Sequence, residues 1–409
     1  MELLDTKSVR DVLKEVKESF RDLPVDSEIL SIEKARGRIL AEDIVSKENI
    51  PEFNRSTVDG YGVYHKDTSG ASDALPTYLQ LKFSVEMGKE AKDAIRPGEC
   101  AYIPTGGVIP EGVDSVVMVE YTEEFDEETI GMKSSVAHLE NVLEKGEDIR
   151  QGEAVFKEGH RLRSQDIGLL AGLGIEKVRV YERMKVGILS TGDEIVEIHQ
   201  QPGIGEVRDM NRFSLMAALD RDGFLPVNGG IISDEKEQLQ KKMKSLLEEC
   251  HLVLLSGGSS MGEKDYTKEV INGLGEPGVF IHGVSMKPGK PTIIGKVEGK
   301  AVIGLPGQPV SALMVYEVLV KKIGNIKDRN PRQEPYIIGE MDRNFPSAAG
   351  RSHYFMVEMY KEDEITKVTP VYGKSGTLSM MGKAFGYVII PHNDEGLNKG
   401  EKVMVYPLR

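Results

Sequence analysis

Three short segments carry carboxylates, hydroxyls and glycines directly after apolar runs: STGDE (190–194), SGGSSMGEKDY (256–266) and LPGQPVS (305–311). Glycine lets backbone N–H groups approach a phosphate closely, and a following helix start adds a favourable dipole. Ser256, Gly257 and Gly258 supply such donors, and Pro306, Pro309 and Ser311 shape the third loop. Glu194 and Asp265 offer the hard oxygens that Mg²⁺ prefers beside a phosphate. Asp193 and Asp234 also read as helix caps, and the position of Asp234 favours the cap. Ordinary tight turns account for these loops as readily as a phosphorylated ligand does. In KPGKP (287–291), Pro288 and Pro291 stiffen a turn between Lys287 and Lys290. Held rigidly, the two ammonium groups suit a small oxyanion; two surface lysines are the plain alternative. Arg351 and Ser375 are further cationic and hydroxyl candidates. GKSG (373–376) is not a P-loop, because Val368 stands where the first glycine belongs. Ser256, Ser259 and Ser260 have no identifiable histidine partner for hydrolase chemistry. The eight histidines show no paired-ligand spacing, which argues against zinc.

The elements that must position these loops follow from hydrophobic period. VGILS, PVNGGII, HLVLLS and AVIGLP are short apolar strands, and helix-patterned stretches with stripes such as Leu239, Met243, Leu246 and Leu247 lie between them. Alternating strands and helices predict a doubly wound parallel sheet over 184–326, whose strand-end loops form the ligand crevice. Ser8 starts a helix with Val9, Val12, Leu13, Val16 and Phe20 on one face, and Ile32 to Ile44 reads as a second. Between 49 and 148 the texture is β: YLQLKFSVEM, CAYIPTGG, DSVVMVEY and SSVAHLENV. The acidic run 123–128 reads as a solvated hairpin tip. Residues 149–183 turn helix-like again and allow pairing with 1–48, which would make 49–148 an insertion. After Pro331, YIIGEM, HYFMVEMY, ITKVTPV, YVIIP and KVMVYP predict a small antiparallel barrel or sandwich.

The chain has 409 residues, enough for three or four domains, and a net charge of −14. That charge argues against nucleic-acid binding and requires any anion site to gather Lys, Arg and N–H groups locally. Two distant cysteines form neither a zinc pattern nor a disulfide framework. An amphipathic, mixed-charge N-terminus and the lack of any long apolar stretch point to a cytoplasmic protein without a membrane anchor.

Several blocks, in order, resemble the MoeA-type molybdopterin molybdenumtransferase family, which includes the E domain of gephyrin. They are ARGRILAEDI (35–44), PEFNRSTVDGY (51–61), IPTGGVIPEGVDSVVMVE (103–120), GEDIR (146–150), STGDEI (190–195), LSGGSSMGEKDYTK (255–268), KPGKP (287–291), GLPGQPVSA (304–312), GRSHYF (350–355) and KSGTL (374–378). Each block is weakly specific, whereas their shared order covers nearly the whole chain. Departures are Gln308 where the family has asparagine, Lys264 where it has alanine, Gly107 in the threonine-glycine block, and GKSG for the glycine-serine block.

The resemblance implies four domains: a helical one from 1–48 and 149–183, an inserted β domain (49–148), the α/β domain (184–326) and a β-barrel (327–409). It also implies a homodimer and a reaction in which molybdate enters adenylylated molybdopterin with Mg²⁺, giving molybdenum cofactor and AMP. By resemblance, Glu194 and Asp265 organise Mg²⁺, and Asp59, Asp148 and Asp234 are supporting acids. Thr105 joins the cofactor-binding set with the glycine loops. Lys290, Pro291, Ser311, Arg351 and Ser375 hold molybdate, with Lys287 nearby. Transient partners would be the molybdopterin adenylyltransferase and acceptor molybdoenzymes. A non-catalytic scaffold of the gephyrin kind, an adenylyltransferase and a tungstate-preferring version are the alternatives. The acids and lysines retained together count against the scaffold, and the flanking domains count against the adenylyltransferase.

Overall fold

The computed structural model describes residues 6–257, 266–329, 331, 334–374, 376–377 and 379–408. It divides into two compact units, one of residues 1–41, 159–163 and 177–409, the other of 42–158 and 164–176.

In the first unit, Ser8 caps α1 (Val9–Ser19) as its position predicts: the Asp11 N–H donates to Ser8 Oγ at 3.1 Å. The buried face is Val9, Val12 and Val16, continued by Phe20. The second expected helix is a single 3₁₀ turn, Ile32–Lys34. The strand before it, Ser27–Ser31, pairs antiparallel with Lys177–Tyr181. Isolated bridges join Ile39 to Arg161 and Leu40 to Val180. Early and late segments thus pair through backbone ladders.

The α/β portion runs β1 (Lys185–Thr191), α2 (Asn211–Arg221), β2 (Leu225–Ile232), α3 (Lys236–Glu249), β3 (Leu252–Ser256), α4 (Thr267–Leu274), β4 (Pro277–His282), β5 (Ile293–Val297), β6 (Lys300–Leu305) and α5 (Pro309–Val315). The sheet order is β2-β1-β3-β6-β5-β4. The first four strands are parallel, as their near-continuous apolar runs predict. The sheet is mixed rather than wholly parallel, because β5 pairs antiparallel with β6, and β4 antiparallel with β5. Short connections permit this reversal, whereas parallel strands need a long crossover.

β1, β3 and β6 are adjacent, and Ser190 lies opposite Ser256, itself opposite Leu305. Their carboxyl ends therefore open side by side. Helices cover both faces: Leu215 and Leu219 of α2 on one, Leu239, Met243, Leu246 and Leu247 of α3 on the other.

Five strands beyond it close into a barrel in the order Ser352–Glu362, Ile365–Pro370, Ile337–Met341, Lys402–Pro407, Gly386–Ile390 and back to the first. One pair, Ile337–Met341 with Ile365–Pro370, is parallel; the others are antiparallel. Met341, Val357, Val368 and Val405 are buried together in the barrel core.

The second unit holds a six-stranded sheet in the order Ser115–Met118, Gly60–Val63, Glu99–Ile103, Thr77–Ser84, Thr129–Met132, Thr122–Asp126. Its core includes Val63, Leu79, Cys100, Val117 and Met132. The acidic run forms a hairpin, with Glu123 paired to Lys133 at 2.9 Å. The segment 134–141, which reads as a strand, is a loop. Leu139 and Asn141 adopt φ of 64° and 61°, left-handed conformations that no strand accommodates. Helix Ser164–Gly172 closes this unit. Cys100 and Cys250 are both free and buried, and burial pushes the thiols up to about 12 and about 11. No described helix is long and apolar enough to cross a membrane.

Candidate active site

The described residues of the three strand-end loops expected to hold a phosphorylated ligand converge. A hollow of about 230 Å³ is lined by Ser190, Thr191, Glu194, Asn211, Ser256 and Gly257, with Gln308 and Pro309 closing one side. Adjacency of β1, β3 and β6 brings these residues together, since each loop leaves its strand at the same edge. Gly257 adopts φ +112°, and a Cβ there would lie 2.0 Å from the Thr191 carbonyl oxygen. Only glycine permits that approach. Asn211 and Pro309, the first residues of α2 and α5, line the hollow, which puts the positive ends of both helices at its edge.

Asn211, which sequence reasoning missed, ties the loops together. Its Nδ2 donates to Ser256 Oγ and to the Gly307 carbonyl, each at 2.8 Å. Ser190 Oγ and Asn211 Oδ1 are buried without a hydrogen-bond partner among the described residues. Buried polar atoms are rarely left so, and both line the hollow, so a polar guest fits there. An asparagine opening a helix after a strand-end loop was the available signal.

Asp234 is not the helix cap its position suggests. Glu235 precedes α3 without a side-chain cap bond, and the Asp234 carboxylate accepts from Thr191 Oγ1 instead. Thr191 pairs with Ile232 in the sheet, which brings Asp234 to its side. Glu194 is exposed at the rim. Behind the wall lies Arg212, almost wholly buried. It bonds Asp209 at 3.0 Å, Glu197 at 2.6 Å and Asn228 at 3.0 Å. The Arg212 hydrogen bond holds the Glu197 carboxyl below its ordinary range. Gly258 and Asp265 lie outside the described residues, as do Ser259, Ser260 and Lys264.

A second hollow, about 790 Å³, adjoins the first through Gly307 and Gln308. Lys287, Lys290, Pro291, Pro306, Ser311 and Arg351 line it. Backbone bonds from Gly283 to Thr292 and from Val284 to Lys290 clamp the KPGKP turn. Met286–Lys287 also adds a short parallel strand to the barrel, Lys287 pairing with His353. The Ser352 N–H donates to the Ser285 carbonyl at 3.1 Å, which fixes Arg351 opposite the lysines. Gln308 occupies the extended position before α5, whose first residue is Pro309. Ser375 lies outside the described residues.

His353, inside GRSHYF, is a further lining residue. Its ring packs 5.5 Å from Phe345, and Nδ1 lies 2.9 Å from Ser347 Oγ. Burial, and then the positive charges of Lys287 and Arg351, push its pKa down to about 4. The ring is neutral at physiological pH, and the cationic character of this hollow falls to the lysines and arginine.

In the second unit, Asp59 and Thr105 meet: the Thr105 N–H donates to Asp59 Oδ1 at 2.7 Å. Asp148 is exposed in the same unit.

Three family models match in order. The MoeA N-terminal region (domain I and II) matches residues 7–174, the "Probable molybdopterin binding domain" 187–325, and the MoeA C-terminal region (domain IV) 339–408. A Methanocaldococcus jannaschii protein named for molybdopterin biosynthesis is 33% identical over 415 residues, covering 100% of this chain and 98% of its own. The molybdopterin molybdenumtransferase of Haemophilus influenzae is 32% identical, with 94% of each chain covered. A solved Pyrococcus horikoshii structure, titled as a molybdopterin biosynthesis MoeA protein, superposes with a TM-score of 0.83 at 29% identity. It covers 98% of this chain and 100% of that one. With three ordered domain matches and full-length relatives of one kind, the chain belongs to the MoeA family of molybdopterin molybdenumtransferases.

Proposed function

We propose that this transferase inserts molybdate into adenylylated molybdopterin and releases AMP, with two adjoining hollows dividing the work. The observation that carries the reading is their shared Gly307–Gln308 wall. One side offers hydroxyls, N–H groups and unpaired Ser190 and Asn211 oxygens, suited to a phosphorylated ligand. The other gathers Lys287, Lys290 and Arg351, which an oxyanion requires in a chain of net charge −14. Lys290, Pro291, Ser311, Arg351 and Ser375 hold molybdate in this reading, and Lys287 contributes charge.

Glu194 and Asp265 would hold Mg²⁺; the Glu194 carboxylate at the rim is the hard oxygen donor such an ion needs. Mg²⁺ supplies charge neutralisation on the phosphoanhydride as AMP leaves. Thr191 orients Asp234, Asn211 spans Ser256 and Gly307, and Gly257 brings the backbone close enough to meet phosphate oxygens. Asp59 and Asp148 are supporting acids, and Thr105 belongs to the cofactor-binding set through its bond to Asp59.

The division into 1–48 with 149–183, 49–148, 184–326 and 327–409 belongs to the same reading. So do a homodimer, transient contact with the adenylyltransferase and acceptor molybdoenzymes, and a cytoplasmic setting that keeps both thiols reduced.

The test supplies adenylylated molybdopterin, Mg²⁺ and either molybdate or tungstate, then measures AMP and metallated cofactor together. Both products appear together with the intact chain, and Asp265→Asn blocks AMP release while molybdate still binds. Neither product appearing would favour a scaffold, and unchanged AMP release from Asp265→Asn would remove that residue's role.

A further inference from the structure

The spacing of the histidines gives no hint of a metal site, yet the second unit brings two of them onto one carboxylate. Asp114 Oδ2 lies 2.5 Å from His65 Nδ1 and 3.3 Å from His138 Nδ1. The three residues are 49 and 24 positions apart in sequence, so no local motif announces them. One potential ligand atom from each falls within 4.8 Å of the other two.

We propose that His65, Asp114 and His138 form a binding site for a divalent transition ion of the zinc class. In a tetrahedral site with bonds of about 2.0–2.1 Å, ligand atoms sit roughly 3.3 Å apart. The His138 to Asp114 distance already matches, and a small ring rotation opens the His65 contact. Two imidazoles and a carboxylate suit Zn²⁺, Co²⁺ or Ni²⁺, whereas Mg²⁺ takes oxygen ligands. Three protein ligands leave the fourth position to water.

The surrounding chain holds the ligands in place without help from an ion. Asp114 Oδ1 is occupied by the His65 N–H at 2.7 Å and Ser115 Oγ at 2.8 Å, which leaves Oδ2 turned to the rings. Burial alone would raise the Asp114 carboxyl, but the hydrogen bonds from His65, Ser115 and His138 outweigh it and keep it ionised. Thr68 Oγ1 donates to the His65 carbonyl and accepts from the Val136 N–H, tying the turn of His65 to the loop of His138. The Leu139 N–H donates to the Asp114 carbonyl. His138 is 61% exposed, which gives an ion a route in. Bound there, the ion would staple the 134–141 loop, with its left-handed Leu139 and Asn141, to the sheet.

The experiment titrates the full, untagged, metal-free chain with Zn²⁺ by calorimetry and with Co²⁺ by visible absorption, with Mg²⁺ in excess. One equivalent should bind, with the visible bands of nitrogen-ligated Co²⁺. His138→Ala, at an exposed position that leaves the fold intact, should weaken binding at least tenfold. Asp114→Asn should do the same, provided its circular dichroism matches the parent. Lack of stoichiometric binding, equal affinity in His138→Ala, or displacement by Mg²⁺ would each overturn the site.

Discussion

The depressed pKa of His353 offers a direct measure of the proposed oxyanion seat. The ring is held neutral to about pH 4 instead of 6.5. That corresponds to about 3 kcal/mol of penalty on the imidazolium. Burial contributes most, and Lys287 and Arg351 add repulsion. The unfolded chain binds this proton near pH 6.5 while the folded chain does not. Stability therefore falls as pH drops from about 6.5 to about 4, by up to the same 3 kcal/mol, and is unaffected by this group above that window. Histidine ring carbons labelled with ¹³C report the titration by NMR. Lys287→Met and Arg351→Met should each raise the His353 pKa, though not to 6.5, because burial remains. Molybdate should raise it in the parent chain by neutralising the same cations, and much less in the double variant. Titration near 6.5 in the free protein would refute the assignment of burial. A pKa indifferent to both variants and to molybdate would refute the electrostatic part and, with it, the seat.

Two further substitutions probe the walls of the smaller hollow. Arg212→Met leaves the buried Asp209 carboxylate unpaired and should cost about 3–5 kcal/mol, with Asp209→Asn in the same chain recovering part. Hydrogen exchange across β1–β3 reads the loss locally, and protection equal to the parent would show that the pair contributes nothing. Gly257→Ala forces a Cβ into the Thr191 carbonyl at φ +112°, and should cost at least about 2 kcal/mol and slow AMP release. Gly307→Ala is the control: among the described residues its Cβ meets only the Gly257 Cα, at 3.9 Å, so its thermal midpoint should match the parent.

Much of the α/β portion was legible because its information is local. The runs VGILS, HLVLLS and AVIGLP are buried on both faces, and buried parallel strands write themselves as continuous apolar sequence. The strand-end loops were legible for the same reason, and the parallel frame dictates that they converge. What stayed hidden depends on partners distant in sequence. Asp234 looked like a cap until the pairing of β1 with β2 placed Thr191 beside it. The reversal of β5 is invisible in residue pattern, since an apolar strand reads alike in either direction. His353 was visible only as part of a block, because its significance comes from Phe345, Lys287 and Arg351 around it. Ile32 to Ile44 has helical spacing, yet its neighbours offer ladder partners, and tertiary pairing overrode the local period.

The Gly307–Gln308 wall has a consequence for timing. Two residues without formal charge separate the proposed phosphate seat from the proposed oxyanion seat, so each anion would feel the other's field with little protein screening between them. Linkage requires the effect to be mutual: whatever factor a bound phosphate imposes on oxyanion affinity, the oxyanion imposes on phosphate. Departure of the nucleotide would then tighten the hold on the metal oxyanion at the moment it is to be transferred. A partition this thin would turn the two proposed sites into a sequence of events.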